Sequence, residues 1–297
     1  MRNQYWLGLV IGLLSGPAAL AQDFQREFGT SFQQNDTAAV AQVLRRWQRA
    51  RPQDPDWFVA RFNYLFKQAE IIELRSGNTA APGTLVLKDK KGRVAGSVGP
   101  GFRPDLTAEA CATLRQGLQV APNRLDMWFG LAKAYEMTGQ PTEQVRALSD
   151  ALNVHAKASA AWLWRGGEAL PEPEAEFVPS SLEQYATYYW QHGDEAGLET
   201  GRQIAELLLK YYPQSSLGHF NLGAYYGFKG QAELAYQYLQ QAYKLQPDDL
   251  STVANLTKLA IDLKRRTEAE QYLARLQKLP DGREAAAEFA PRVKKMR

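Results

Sequence analysis

The side chains best suited to acid–base or metal chemistry in this sequence are its three histidines, His155, His192 and His219. Their spacing does not give the His-x-x-x-His pair that places two imidazoles on one face of a helix, around a metal ion. Cys111 is the only cysteine, so no cysteine pair can complete a metal site either. We therefore predict no metal site and interpret His192, His219 and Cys111 as packing residues.

Other catalytic patterns are also missing from the sequence. The glycine-rich stretch 96–101 lacks the Lys-Ser or Lys-Thr that follows a phosphate-binding loop, and no Gly-x-Ser-x-Gly motif occurs. The carboxylates of Glu172 and Glu174 stand in a proline-rich segment, where we expect them to be solvated. The formal net charge is +3, without a basic stripe interleaved with aromatic residues. We predict no enzymatic activity, no cofactor and no nucleic-acid partner.

Two asparagines point to recognition instead of catalysis. Asn221 and Asn255 stand 34 residues apart, and each amide offers both a donor and an acceptor that could hold the backbone of an extended peptide. Apolar residues recur at helical spacing over 217–229 and again over 232–245. Gly230 separates these two helices, and Pro247 ends the second because proline cannot continue a helical hydrogen-bond ladder. The sequence thus predicts a pair of helices around the first asparagine.

The same pattern returns at a fixed step of 34 residues. The matching pairs are Leu222 and Leu256, Ala235 and Ala269, Leu239 and Leu273, and Pro213 and Pro247. This period, with a Leu-Gly-x-x-Tyr helix, an Ala-x-x-x-Leu helix and a closing proline, resembles the tetratricopeptide repeat (TPR). The resemblance implies an all-α fold, a right-handed α-solenoid of TPR-like helix pairs. Stacking is required because one pair cannot bury both of its apolar faces.

In this family the first helix of each pair lines a concave groove that binds a partner. The resemblance therefore assigns a partner-binding groove to Trp190, Phe220, Asn221, Ala224, Phe228, Asn255 and Lys258. An alternative is that the two asparagines brace neighbouring helices. Related repeats that hold an acidic C-terminal tail use several basic groove residues. Only Lys258 is available here, so that mode of binding is not indicated.

Further helices extend the pattern toward the N-terminus, and two inserts interrupt it. A looser copy is predicted at 183–212 and a good copy from 125 onward, with earlier helices at 37–49, 57–64 and around 110–117. The insert 77–104 predicts a β-hairpin, which should lie against the helices because an isolated hairpin is marginally stable. The irregular insert 159–181 is predicted to start with a helix at 160–164 and to end as an extended loop at 171–181.

The predicted domain organisation starts with a processing signal. Residues 1–21 combine a basic residue, a short apolar run and the small-x-small site Ala19-Leu20-Ala21, and so predict a signal peptide cleaved after Ala21. An N-terminal helical segment (22–53), a TPR-like repeat domain (54–283) and a C-terminal basic helix (284–297) follow. We expect a periplasmic or secreted protein, without an integral membrane segment after signal cleavage.

The sequence thus predicts an exported, non-catalytic scaffold that binds a protein or peptide in the cell envelope. Two alternatives stay open: a glycan-binding protein that uses exposed groove aromatics, and an accessory subunit of an envelope enzyme. Exposed Trp and Tyr flanked by polar side chains would favour the glycan. An apolar groove bordered by Asn would favour the peptide. The sequence does not name the partner, the pathway or the oligomeric state.

Overall fold

The computed structural model describes residues 18–77, 84–158, 160–192 and 195–296. These residues form two compact units, the first ending at residue 169 and the second starting at residue 170. Most of the predicted signal peptide lies outside the described residues, and residues 18–21 begin the first helix. Cleavage after Ala21 therefore stays a prediction.

Unit 1 combines six α-helices with a small sheet among its described residues. Its helices are α1 (Ala18–Gln33), α2 (Thr37–Ala50), α3 (Pro55–Ala69), α4 (Pro104–Val120), α5 (Leu125–Met137) and α6 (Pro141–Lys157). The local sequence determines where several of these helices begin. Asp36 accepts a hydrogen bond from the backbone N–H of Ala39, and Asp54 caps α3 just before a proline at its first position. Trp47, with 1% of its surface exposed, anchors the core between these helices.

The sheet has the strands β1 (Glu70–Ser76), β2 (Leu85–Lys88) and β3 (Val94–Phe102), in the order β1-β3-β2. Strands β2 and β3 pair antiparallel across the predicted turn, and β1 adds a third strand that the sequence analysis missed. The expectation that the hairpin lies against the helices is wrong for most of its length. Phe102 stacks on Phe66 of α3 with ring centroids 5.0 Å apart, but the strands pack mainly on one another. A third strand supplies the stabilising partner that a lone hairpin lacks.

Two predictions for the insert 159–181 are wrong. Residues 160–164 are not helical, because the backbone of Leu163 pairs with the segment that precedes α5: its N–H donates to Asn123 O and its carbonyl accepts from Leu125 N. The proline-rich end is also not a loop, since helix α7 already begins at Glu174 and includes Pro179. Acidic Glu174 and Glu176 in its first turn favour a helix start through the helix dipole.

Unit 2 consists of helices. They are α7 (Glu174–His192), α8 (Glu195–Tyr211), α9 (Ser216–Phe228), α10 (Ala232–Leu245), α11 (Leu250–Asp262), α12 (Arg266–Leu276) and α13 (Gly282–Lys294). Successive helices pack as antiparallel pairs, most extensively α9 with α10, α7 with α8 and α11 with α12. The predicted fold class, helix pairs with a small β insert, is confirmed.

The pair α9–α10 shows why small residues recur in the pattern. A Cβ atom added to Gly223 would lie 2.7 Å from Cγ of Leu239 and 3.3 Å from the carbonyl oxygen of Ala235. The two helices therefore approach too closely for a larger residue at this crossing. Gly230 takes φ +70° directly after α9, a conformation that suits glycine and ends the helix.

Candidate functional site

The predicted groove residues on α9 differ in exposure: Asn221 is buried, Phe220 and Ala224 are half-buried, and Phe228 is exposed. Gly218, Asn221 and Tyr225 follow one another at helical spacing on a buried side. Gly218 faces Leu209 of α8, since an added Cβ would meet that side chain at 2.8 Å, and the Tyr225 hydroxyl donates to Glu199 of α8 at 3.2 Å. This side of α9 is an interface with the preceding helix and not an open surface.

Asn221 is therefore misplaced in the predicted groove. Only 2% of its surface is exposed, because it lies between Gly218 and Tyr225 on the side that faces α8. Its Nδ2 atom is buried without a hydrogen-bond partner. A buried donor without a partner carries a desolvation cost, so this amide neither braces the fold efficiently nor reaches a ligand.

Trp190 is also a packing residue and not an open groove residue. Its ring covers Gly201 of α8, where an added Cβ would lie 2.8 Å from the indole, and it lies 6.3 Å from the Tyr225 ring. The sequence analysis missed this because the glycine that makes room for the ring belongs to another helix. His219, interpreted as a packing residue, lies against Tyr238, and burial lowers the pKa of its imidazole. The side chain of His192 lies outside the described residues.

An apolar strip runs beside the buried side of α9 and becomes exposed at the C-terminal end of that helix. Phe220, Ala224 and Phe228 follow one another at intervals of four residues, which places them along one side of the helix. Phe220 and Ala224 are half-buried, with Phe220 packed against a core cluster that includes Leu256 of α11, whereas 65% of the surface of Phe228 is exposed. A phenylalanine this exposed is available to a partner.

Helix α11 presents polar groups. Asn255 and Lys258 are both exposed. The Asn255 amide donates to the carbonyl of Ser251 at 2.9 Å, which fixes the side chain and leaves its oxygen to accept a further hydrogen bond. Five predicted residues thus remain candidates, which we call the α9–α11 surface: Phe220, Ala224, Phe228, Asn255 and Lys258.

A charge network on α8 meets the α9 segment at the Tyr225 hydroxyl and at Lys229, directly after the helix. Arg202 pairs with Glu199 and Glu206, and Lys229 pairs with Glu195. Hydrogen bonds from Arg202 lower the pKa of Glu199 to about 2, and burial, which acts in the opposite direction, offsets only part of this shift. Because each of these groups has a partner, we interpret the network as structural.

Sequence analysis also missed a buried ion cluster in unit 1. Arg124, with 2% of its surface exposed, donates to Asp56 at 2.7 Å and to Asp126 at 2.8 and 2.9 Å. Gln25 of α1 adds a hydrogen bond of 2.6 Å to Asp56. Burial raises the pKa of Asp56, an effect that Arg124 partly opposes. The cluster ties α1, α3 and α5 together, and its acidic groups are already engaged, so we assign it no catalytic role.

The remaining features do not suggest an active site within the described ranges. A cavity of about 270 Å³ lies between α4, α5 and α6, with Leu118, Trp128 and Leu131 among its lining residues and no predicted groove residue. Within the described part of the chain, no cluster of His, Cys, Asp and Glu could hold a metal ion. No described helix is both long and apolar enough to span a membrane. Cys111 is buried, which raises the pKa of its thiol.

Comparison with known proteins supports the repeat assignment. The tetratricopeptide repeat profile matches residues 218–249, the segment in which α9 and α10 pack through Gly223. Residues 218–249 form a tetratricopeptide repeat. Gly223 and Ala235, two small residues of this segment, lie where its two helices approach closely.

Several solved structures resemble the chain at low identity. The TPR2AB domain of yeast Sti1, described in a complex with pHSP90, shares 10% identity and a TM-score of 0.36, with 94% of this chain and 100% of that chain covered. PilF of Pseudomonas aeruginosa shares 16% identity and a TM-score of 0.38, with 64% and 83% covered. TTC0263 of Thermus thermophilus, a TPR protein, shares 17% identity and a TM-score of 0.36, with 64% and 92% covered. No curated protein matches the chain.

The role of Asn221 can be tested through stability. We expect Asn221→Leu to leave the free energy of unfolding unchanged or to raise it by about 1 kcal/mol, since it replaces an unpartnered buried amide with an apolar group of similar size. Urea denaturation measures the change, with Asn255→Leu as the exposed counterpart. A loss above about 1 kcal/mol for Asn221→Leu alone would show that the amide makes a stabilising hydrogen bond.

Proposed function

We propose that this protein is a non-catalytic scaffold that binds an extended segment of a protein partner on the α9–α11 surface. The observation that carries the proposal is the character of the exposed side chains there: an apolar strip on α9 ending in Phe228, and a fixed amide on α11, that of Asn255. An apolar side chain of the partner would pack on Phe228. The Asn255 oxygen would accept a backbone N–H, and Lys258 would favour an acidic residue nearby.

The glycan alternative has less support. Sugar rings stack on exposed tryptophan or tyrosine, yet within the described ranges every tryptophan is buried or half-buried, and Tyr188 is the one exposed tyrosine. Phe228 cannot add the hydroxyl or indole N–H that sugars use. The accessory-subunit alternative has no specific observation in its favour. We further propose that the protein acts in the cell envelope as a periplasmic or secreted protein, on the strength of the predicted signal peptide.

Peptide selection tests the binding surface directly. A library of random peptides would be selected on the purified protein, and the affinity of an enriched peptide measured by fluorescence anisotropy. We expect Phe228→Ala to weaken binding by about 1 kcal/mol and Asn255→Ala by about 0.5–1.5 kcal/mol, without a change in thermal midpoint. Truncation of Phe228 removes apolar contact area, and loss of the Asn255 amide removes one hydrogen bond.

Leu245→Ala is the matched control, because Leu245 is another exposed apolar residue of unit 2 and lies on α10. Its affinity for the selected peptide should equal that of the unchanged protein. Equal losses for Leu245→Ala and Phe228→Ala, or no loss for either α9–α11 variant, would contradict the assignment of this surface. N-terminal sequencing of the exported protein tests the location, since a chain that retains Met1 would contradict the signal peptide.

A further inference from the structure

The three-stranded sheet has one apolar face. In the strand register Leu74 and Leu85 both lie opposite Val98, and Ile72 lies opposite Pro100. Opposite residues of neighbouring strands share a face, and so do alternate residues along a strand. We call these five residues, Ile72, Leu74, Leu85, Val98 and Pro100, the sheet face. The exposed fractions are 82% for Ile72, 67% for Leu74 and 69% for Leu85.

None of the described helices of unit 1 packs across this face. The sheet is attached at its base, through the stacking of Phe102 on Phe66 and a hydrogen bond from Arg103 N to Ala69 O. Of the ten large apolar side chains that are exposed in the described ranges, Ile72, Leu74 and Leu85 lie on the sheet face, and Ile71 and Val86 lie on the other face of the same sheet. Such a concentration marks a surface that another body covers.

The charges at the tip of the sheet indicate what kind of partner covers the sheet face. Lys88, Lys90 and Lys91 are exposed, and the described ion pairs do not include them. The single acidic residue of the turn, Asp89, is already paired with Arg93 at 2.8 Å. Lys88 ends β2 where the strand register shifts, and Lys90 and Lys91 follow in the turn, so the three ammonium groups lie at the tip of the sheet, next to the apolar row.

We propose that the sheet docks on an anionic lipid surface, with the sheet face against the acyl boundary and the three lysines on headgroup phosphates. Interfacial binding of this kind adds buried apolar area to attraction between basic residues and anionic lipids. The composition favours lipid over protein. Protein interfaces are enriched in aromatic residues and arginine and depleted in lysine, whereas the sheet face is aliphatic and its free cations are lysines. Lysine ammonium groups also suit a diffuse array of phosphates, since they need no fixed bidentate geometry.

Vesicle co-sedimentation tests the proposal with the full-length protein. The vesicles contain either phosphatidylcholine alone or equal parts of phosphatidylcholine and phosphatidylglycerol. We expect binding to the mixed vesicles and a loss of roughly fivefold per lysine for Lys90→Gln combined with Lys91→Gln. Leu85→Ser should reduce binding about tenfold, because it removes apolar area from the contact. Both changes are at exposed positions, so circular dichroism should show unchanged thermal midpoints.

Matched controls make the same changes elsewhere on the chain. Lys294→Gln combined with Lys295→Gln removes two adjacent exposed lysines from α13 and its end, and Leu245→Ser replaces an exposed leucine of α10. Neither should alter vesicle binding. The proposal is overturned if the sheet variants bind like their controls or if the unchanged protein does not prefer anionic vesicles. It is also overturned if sedimentation equilibrium shows a dimer that Leu85→Ser dissociates, because a second copy then covers the sheet face. Lysine variants that lose binding while Leu85→Ser keeps it would equally exclude docking through the sheet face.

Discussion

Replacing Arg124 with Met is expected to lower the free energy of unfolding by about 3–5 kcal/mol at neutral pH. The arginine is buried and is the cation shared by Asp56 and Asp126. Without it, two carboxylates remain in a poorly solvated environment with no positive partner, which costs far more than the packing that Met restores. Chemical denaturation by urea, followed by circular dichroism, measures the loss.

The loss should shrink as the pH falls. Burial already raises the pKa of Asp56 above its ordinary value of 3.8, and removal of Arg124 removes the main opposing influence. A carboxyl with a raised pKa in the folded state binds its proton more tightly there than in the unfolded chain. Its contribution therefore favours folding at acidic pH and is lost as the pH rises through the folded-state pKa. Denaturation at pH values between neutral and mildly acidic should show the variant approaching the unchanged protein.

Arg103→Met is the matched control for Arg124→Met. Both arginines immediately precede a helix and pair with an aspartate two residues later, Asp105 in the case of Arg103. The pair at the start of α4 is exposed, so water screens it and the denaturation midpoint should not change measurably. Equal effects of the two substitutions would contradict the interpretation that burial of the cluster decides its contribution.

Replacing Ala235 with Leu is expected to cost about 1–3 kcal/mol. Ala235 is fully buried, and its backbone lies against Gly223 where α9 crosses α10. The larger side chain has no space there, so it must either adopt a poor rotamer or force the helices apart. Ala269→Leu should behave similarly, since that position is equivalent in the next repeat and is equally buried. Thermal unfolding measures both variants.

The control for overpacking is Ala274→Leu on α12. It is the same substitution on a helix of the same unit, at an exposed position. Its thermal midpoint should stay close to that of the unchanged protein, because the added carbons extend into solvent. An unchanged midpoint for Ala235→Leu as well would contradict the close approach of α9 and α10.

Local signals in the sequence were sufficient to predict the positions of most helices. Apolar spacing predicted α2, and apolar spacing together with Gly230 and Pro247 predicted α10, since helix termination is decided within a few residues. The strand β1 was missed because Glu70–Ser76 continues a helix-compatible pattern and becomes a strand by pairing with β3. The helical interpretation of 160–164 failed for the same reason, since Leu163 is held extended by the segment before α5.

In the candidate site, too, the sequence predicted the helices that carry the residues but not which residues are exposed. Period and residue type placed Phe228, Asn255 and Lys258 on helices of the correct kind, and the structure leaves all three exposed. Asn221 has the same position in its repeat as Asn255, yet it is buried. Repeat position fixes the side of a helix, but exposure depends on which neighbouring helix covers that side. Here α8 covers the side of α9 that carries Asn221 and Tyr225.

The sequence by itself determined the repeat, the helix pairs and the absence of recognisable catalytic motifs, because these depend on spacing and residue type along the chain. The tertiary structure alone decided which polar groups meet and which apolar groups stay uncovered. Arg124 and Asp56 are far apart in the sequence but form a buried pair at 2.7 Å. Leu74 and Leu85 come from different strands and share one exposed face through their common partner, Val98. Such juxtapositions arise from long-range packing, which no local periodicity encodes.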